Sequence, residues 1–137
     1  MNPDLIILAG FMRILGEKLI NKYANKMINL HPSLLPEYPG LNTHEQVLKN
    51  SDKKHGISIH FVTPELDAGP LIAQASIEVR NDETLDRLIQ RIHKIEHYLL
   101  PEIVREICSD NIYLDKNKIV KYVYDDYESR FFVEIHE

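Results

Sequence analysis

The sequence reads Asn29-Leu30-His31-Pro32-Ser33-Leu34-Leu35-Pro36 across the segment that decides its fold. A short apolar run that begins at Met27 leads into this segment and predicts a buried strand. Two polar side chains, Asn29 and His31, then stand at the end of that strand, just before a turn that proline stiffens. Ligands of open α/β sheets bind beyond the ends of the strands, so the segment predicts both an α/β fold and a binding site.

A second apolar run lies at residues 5–9, and it is continuous rather than alternating. This pattern is typical of a strand that is buried on both faces of a parallel sheet. Such a strand usually has neighbours on both sides, so we expect that sequence normally preceding it is absent. The edge left open predicts a homo-oligomer in which copies of the chain associate through residues 5–9.

Four further elements follow along the chain. Apolar residues recur at every second position in residues 56–62, which predicts a strand. Residues 71–79 predict the returning antiparallel strand. Residues 43–49 predict a short helix with Thr43 as its cap. A longer helix is expected to begin near Asn81, because a stripe of apolar residues recurs there with helical spacing. The stripe consists of Leu85, Leu88, Ile89, Ile92, Ile95, Leu99, Ile103 and Ile107.

Together these elements predict an α/β fold. Its sheet is mixed and mostly parallel, with one antiparallel pair of strands and a long C-terminal helix. We expect residues 1–108 to form this portion of the fold. Residues 109–137 are expected to form a C-terminal extension that consists of a hairpin, turning at Asp115–Lys118, and a tail.

Composition excludes several classes of protein. The 137 residues carry a net charge of −5, which argues against a nucleic-acid partner and against an anchor on an anionic membrane. The apolar run at residues 5–9 is far too short to span a bilayer, which needs about 20 residues. The single cysteine, Cys108, excludes an internal disulfide framework. We therefore expect a cytoplasmic domain without a membrane segment.

Asn29, His31 and Asp67 are the candidate catalytic residues. An amide can steady an oxyanion, an imidazole can exchange protons near neutral pH, and a carboxylate can orient the imidazole. Each residue also has an ordinary structural explanation: Asn29 can cap a turn, a histidine before proline can be structural, and Asp67 is a natural turn former. Spacing alone does not bring Asp67 to His31, so both explanations stay open at this point.

The other histidines and the cysteine predict no metal site. His93 and His97 lie four residues apart on one face of the long helix, yet no third or fourth ligand has matching spacing. No H-E-x-x-H pattern is present, because Glu96 directly precedes His97 and does not follow His93. Cys108 is expected to be a small buried apolar residue.

Several motifs of this chain resemble the phosphoribosylglycinamide formyltransferase family of folate-dependent enzymes. The resemblance runs in order through about residues 3–107 and rests on strings at 8–15, 29–40, 55–62 and 65–70, which read LAGFMRIL, NLHPSLLPEYPG, HGISIHFV and ELDAGP. It implies the C-terminal portion of a Rossmann-like formyltransferase fold, with residues 1–108 as the catalytic and folate-binding portion. It also implies that 10-formyltetrahydrofolate donates a formyl group to the amine of glycinamide ribonucleotide in purine biosynthesis.

The resemblance assigns roles to individual residues. It implies that Asn29, His31 and Asp67 are catalytic, and that Glu96 and His93 lie on the side of the ribonucleotide substrate. His93 stands where the family often has glutamine. The folate would be contacted by Met12, Arg13, Ile14, Leu15, Val62, Thr63, Pro64, Glu65 and Leu66.

The chain also departs from the resembled family. The family's amino-terminal strands and the Gly-rich loop that holds the substrate phosphate have no counterpart in these residues, and Asn42 stands where the family often has histidine. A loop of that kind binds an anion through its backbone N–H groups, so its absence predicts weak or absent turnover by this chain alone. The alternatives are another folate-dependent formyltransferase or hydrolase, and a non-catalytic remnant that binds folate or dimerises.

Overall fold

The computed structural model describes residues 3–10 and 15–136, apart from the side chains of residues 127 and 128. Its strands are β1 (Ile6–Ala9), β2 (Met27–His31), β3 (Lys54–Phe61), β4 (Leu71–Glu78), β5 (Ile112–Leu114), β6 (Val120–Tyr122) and β7 (Phe132–Ile135). Its helices are α1 (Glu17–Lys22), α2 (Thr43–Lys49), α3 (Leu85–Cys108) and α4 (Tyr127–Phe131). In this part of the chain, no helix is long and apolar enough to cross a membrane.

The main sheet has five strands in the order β1-β2-β3-β4-β7. β1 is parallel to β2 and β4 is parallel to β7, whereas β3 is antiparallel to both of its neighbours. All strands of this sheet except β3 therefore run in one direction. β3 and β4 form the predicted antiparallel pair. The predicted α/β class, with a mixed and mostly parallel sheet and a long helix, is confirmed.

The apolar stripe of α3 covers the sheet and closes the core. Its central members are buried and pack with apolar residues of β3 and β4. The helix begins at Leu85 rather than near Asn81, because the hydroxyl of Thr84 accepts a hydrogen bond from the backbone N–H of Arg87 at 3.3 Å. Pro101 lies inside the helix, which continues to Cys108.

Three local predictions are wrong. β1 is not buried on both faces: it lies at an edge of the sheet, and Ile7 is 41% exposed because β2 is its sole partner among the described strands. Asn42, not Thr43, is the residue before α2, and the buried hydroxyl of Thr43 has no hydrogen-bond partner in the described structure. Cys108 is exposed, because it follows the last buried residues of the α3 stripe.

The C-terminal residues extend the sheet. β5 and β6 form an antiparallel hairpin around Asp115–Lys118, at the position that the sequence predicts. The final strand, β7, follows the hairpin and α4 along the chain, and it pairs with β4 in the main sheet. The end of the chain is therefore part of the sheet and not only a tail. The division of the chain at residue 108 stays a prediction.

Candidate active site

Two neighbouring strands bring three polar side chains to one face of the sheet. Asn29 and His31 are two residues apart on β2, so their side chains point the same way. Asn29 lies directly across from His60 in the antiparallel register of β2 and β3. Asp67 approaches the same place from the loop between β3 and β4, where its backbone has a left-handed φ of 50°. The loop therefore adds a carboxylate to a cluster that the sheet has already assembled.

The cluster includes all three predicted catalytic side chains. The Asn29 amide donates to Oδ1 of Asp67 at 3.3 Å. Nδ1 of His31 lies 3.5 Å from Oδ2 of the same carboxylate. The structure thus brings together Asn29, His31 and Asp67, which spacing along the sequence could not do.

His60 is the member of this cluster that sequence reasoning missed. Its Nδ1 lies 2.8 Å from the carbonyl oxygen of Phe61, and a carbonyl can only accept, so Nδ1 carries the proton. Its Nε2 is then an acceptor, and it receives a hydrogen bond from the Asn29 amide at 3.2 Å. Burial lowers the pKa of His60, while the Phe61 carbonyl and the charge of Asp67 oppose that shift. The ring therefore stays neutral and fixes which way the Asn29 amide faces.

His31 is held on both sides of its ring. Nε2 lies 2.8 Å from the backbone carbonyl of Tyr38, so this nitrogen donates. Nδ1 faces Asp67, whose Oδ2 also accepts a hydrogen bond from the backbone N–H of Gly40 at 2.8 Å. Nδ1 is therefore the ring nitrogen that remains able to exchange a proton toward Asp67 and Asn29.

A buried network fixes the loop that follows His31. The hydroxyl of Ser58 donates to the carbonyl of Ser33 at 2.6 Å and accepts from the N–H of Leu35 at 3.0 Å. The amide of Gln74 donates to the same hydroxyl and to the carbonyl of Leu35, both at 2.9 Å. These contacts tie the proline-rich loop to β3 and β4, which explains how an irregular segment can hold defined geometry beside the cluster.

An open cleft lies against the cluster. Its walls are mostly apolar with a few polar groups, which is the kind of lining that small-molecule sites have. Leu15 and the segment 62–66, both predicted to contact folate, line the cleft. Met12, Arg13 and Ile14, the other predicted folate contacts, lie outside the described residues. The lining residues are Leu8, Leu15, Ile20, Asn29, His60, Val62, Thr63, Pro64, Glu65, Leu66 and Asp67.

The two residues predicted on the ribonucleotide side lie elsewhere. Glu96 and His93 are on α3, and neither lines the described part of the cleft. Burial raises the pKa of Glu96, against the opposing charges of His93 and His97. The structure therefore leaves Glu96 and His93 outside the described part of the cleft.

A second pair of histidines joins α2 to β3. Nδ1 of His44 lies 3.0 Å from Nε2 of His55, and the rings meet edge to face with centroids 5.1 Å apart. Burial lowers the pKa of His44, and burial followed by the charge of His44 lowers the pKa of His55 to about 4. One ring must donate to the other, so this contact requires the accepting nitrogen to be unprotonated. Within the described residues, no group of three or more histidine, cysteine or acidic side chains could hold a metal ion.

Comparisons with known proteins identify the family. Residues 1–104 match the formyl transferase family. The chain is 44% identical over 115 residues to phosphoribosylglycinamide formyltransferase of Escherichia coli. The aligned region covers 84% of this chain and 54% of that protein. It is 43% identical over 108 residues to the Bacillus subtilis protein of the same name, which covers 79% of this chain and 55% of that protein. The chain thus spans about half the length of these curated relatives.

Solved structures are similar as well. The crystal structure of phosphoribosylglycinamide formyltransferase from Anaplasma phagocytophilum superposes with a TM-score of 0.88 at 41% identity, over 97% of this chain and 64% of that one. A formyltetrahydrofolate deformylase from Pseudomonas syringae superposes with a TM-score of 0.80 at 30% identity, over 87% of this chain and 40% of that one. The family match covers most of the chain, including the strands and the loop that carry the cluster, and the chain therefore belongs to the formyl transferase family.

Proposed function

We propose that this chain transfers a formyl group from 10-formyltetrahydrofolate to the amine of glycinamide ribonucleotide, a step of purine biosynthesis. The observation that carries the proposal is the cluster of Asn29, His31 and Asp67, two of which, Asn29 and Asp67, line a largely apolar cleft. The names of the similar proteins support the choice of substrates. The chain then acts as a one-carbon transferase that needs no metal.

The reaction requires two proton movements and one charged intermediate. The substrate amine attacks the formyl carbon, and the electron pair of the C=O bond moves to oxygen to form a tetrahedral oxyanion. The bond from that carbon to the folate nitrogen then breaks, the C=O bond re-forms, and the proton lost by the amine goes to the folate nitrogen. Nδ1 of His31 exchanges this proton, and Asp67 orients and stabilises the protonated ring.

The Asn29 amide is proposed to stabilise the oxyanion. Both of its N–H bonds are directed within the protein, one to His60 at 3.2 Å and one to Asp67 at 3.3 Å. Both contacts are longer than the usual 2.9–3.0 Å of such bonds. One of them is therefore readily exchanged for the formyl oxygen when substrate binds, because apo contacts in active sites often tighten only in the complex.

The folate and the ribonucleotide are proposed to bind on different sides. The pterin enters the cleft between Leu15 and the segment 62–66, and Met12, Arg13 and Ile14 are proposed to complete that wall. Glu96 and His93 are proposed to contact the ribonucleotide from α3. Because no Gly-rich phosphate loop occurs in the 137 residues, we propose that the chain by itself binds the ribonucleotide weakly and turns over slowly.

Hydrolysis of the formyl donor is the second candidate. The similarity to a formyltetrahydrofolate deformylase favours it, since the same cluster could direct water instead of an amine to the formyl carbon. The two functions differ in product. Incubating the chain with donor that carries a ¹³C-labelled formyl group, with and without glycinamide ribonucleotide, should give labelled formyl amide only when the amine is present. Labelled formate that forms equally with and without the amine would establish the hydrolase instead.

We further propose that copies of the chain associate through β1. This strand lies at the sheet edge, its outer backbone groups have no partner among the described strands, and Ile7 is exposed. Sedimentation of the wild-type chain and of Ile7→Lys tests the idea. We expect a dimer that the lysine weakens, whereas a monomer for both chains at high concentration would contradict it.

A further inference from the structure

The short segment from Tyr38 to Gly40 contacts both His31 and Asp67. Its Tyr38 carbonyl accepts a hydrogen bond from Nε2 of His31 at 2.8 Å, and its Gly40 N–H donates to Oδ2 of Asp67 at 2.8 Å. This loop therefore contacts His31 at the ring nitrogen that does not face Asp67, and contacts Asp67 at the oxygen that does face His31. Whatever fixes this segment also fixes the relative position of the two catalytic candidates.

Tyr38 has an unusual backbone and a tethered side chain. Its φ is 48°, in the left-handed region that bulky residues rarely adopt, and such outliers persist only where surrounding contacts enforce them. The enforcing contacts are visible at its phenol. The Asn50 amide donates to the Tyr38 hydroxyl at 2.8 Å, and that hydroxyl donates in turn to the carboxylate of Asp52. The hydrogen bond to Asp52 raises the pKa of the Tyr38 phenol.

The tether reaches the site from a different element. Asn50 and Asp52 follow α2, whereas His31 ends β2, so the phenol of Tyr38 connects the C-terminal end of α2 to the catalytic candidates. Gly40 and all of α2 lie between Tyr38 and its partners Asn50 and Asp52 along the chain. The side-chain contacts therefore close this part of the chain into a loop and fix its conformation.

We propose that Tyr38 is a positioning residue for His31. By holding the Tyr38 carbonyl against Nε2, the tethered phenol keeps the proton of the neutral ring on that nitrogen and leaves Nδ1 free to accept a proton beside Asp67. Without the tether, Asp67 competes for the single ring proton, because its Oδ2 lies 3.5 Å from Nδ1. The consequence for formyl transfer rests on the proposed function, but the control of the histidine tautomer does not.

The tautomer can be observed directly. Nitrogen-15 NMR of the full chain distinguishes the two neutral forms of His31 at a pH where the ring is uncharged. The wild-type ring should carry its proton on Nε2. In Tyr38→Phe, which removes only the hydroxyl, we expect the ratio of the Nε2–H form to the Nδ1–H form to fall by roughly two- to tenfold, the size of effect of one neutral hydrogen bond. Tyr98→Phe is the matched control, because the Tyr98 ring is 62% exposed.

A second variant guards against a simple loss of folding. Asp52→Ala removes the acceptor of the Tyr38 hydroxyl and leaves the ring in place, so it should shift the His31 tautomer ratio in the same direction as Tyr38→Phe. An unchanged ratio in whichever of the two variants gives a folded spectrum overturns the proposal, as does an equal shift in Tyr98→Phe. Calorimetry with a folate analogue reports separately on the proposed function: absent binding with a shifted tautomer ratio would refute that function and uphold the role of Tyr38.

Discussion

Nδ1 of His31 lies 3.5 Å from Oδ2 of Asp67, and the two side chains are 6% and 8% exposed. A protonated imidazole and a carboxylate at this distance stabilise each other strongly when water is largely excluded. The neutral ring instead turns a lone pair toward the carboxylate. The carboxylate is therefore placed to orient the imidazole and to pair with it when Nδ1 carries a proton.

Asp67→Asn should separate catalysis from binding. The substitution keeps the size of the side chain but removes the charge that orients His31, so formyl transfer should fall by about 10²–10⁴-fold, the usual contribution of a positioned acid or base. Folate affinity, measured by calorimetry, should change little. Asp86→Asn, at an exposed position of α3, is the matched control. Equal transfer rates in the two variants would refute the role of Asp67.

His60→Phe should disturb Asn29 rather than the core. The ring of His60 accepts from the Asn29 amide at 3.2 Å, and phenylalanine offers no acceptor. One N–H of the Asn29 amide, which is largely buried, then loses its acceptor. The loss lowers the free energy of unfolding by about 1–3 kcal/mol. We expect transfer to slow by roughly tenfold and the midpoint of urea unfolding to decrease. His136→Phe, at an exposed position near the end of the chain, should leave both measurements unchanged.

Gly69→Ala should destabilise the loop that carries Asp67. A Cβ at Gly69 would lie 1.6 Å from the carbonyl oxygen of Phe61 and 3.2 Å from Nδ1 of His60. The backbone must move, and with it the contact that fixes the His60 tautomer. The free energy of unfolding should drop on the order of 3 kcal/mol, the upper range for overpacking. Gly16→Ala, where no atom lies within 4 Å of the added Cβ, should change it by less than about 1 kcal/mol.

The His44–His55 pair predicts a loss of stability in mild acid. Burial lowers the folded-state pKa of His55 to about 4, from an ordinary value of 6.5. The unfolded chain then binds the proton more tightly, so the contribution of the neutral pair is fully present above pH 6.5 and is lost as the pH falls toward 4. The lowering corresponds to roughly 3 kcal/mol.

The variant His55→Gln isolates this effect from other titrating groups. Urea unfolding of both chains at a series of pH values should show that the variant loses less stability than the wild type between pH 6.5 and 4. The charges of His44, Asp52 and His31 all act on His55, so the same series with His44→Gln reports how much of the effect belongs to the pair. Parallel curves for wild type and His55→Gln would contradict the assignment.

Much of the fold follows from local patterns. The end of β2, the antiparallel β3–β4 pair and the apolar stripe of α3 are visible in the sequence because each depends on short-range periodicity. Exposure is harder to predict. The run at residues 5–9 has the composition of a buried strand, but it forms the edge strand β1, in which Ile7 is exposed.

The site was predictable only in part. Asn29 and His31 stand out because they end a strand, and Asp67 because it lies in the loop between two predicted strands. The resemblance is what joins the three into one set. His60 was missed because a histidine within β3 looks like one more strand residue, and its partner Asn29 depends on the register between two strands. Tyr38 contributes through a backbone carbonyl and a left-handed φ, neither of which leaves a pattern in the sequence. An inventory of polar residues opposite Asn29 in each candidate register would have pointed to His60.

Single-turnover transfer tests the central claim most directly. The wild-type chain, in excess over 10-formyltetrahydrofolate that carries a labelled formyl group, is mixed with a high concentration of glycinamide ribonucleotide, and the labelled formyl amide is followed by mass spectrometry. His31→Gln is the test variant and His136→Gln its control. We predict slow transfer in wild type and control and a rate at least about 100-fold lower in His31→Gln. Transfer by His31→Gln at the wild-type rate, or no transfer by a wild-type chain that binds both substrates, would contradict the claim.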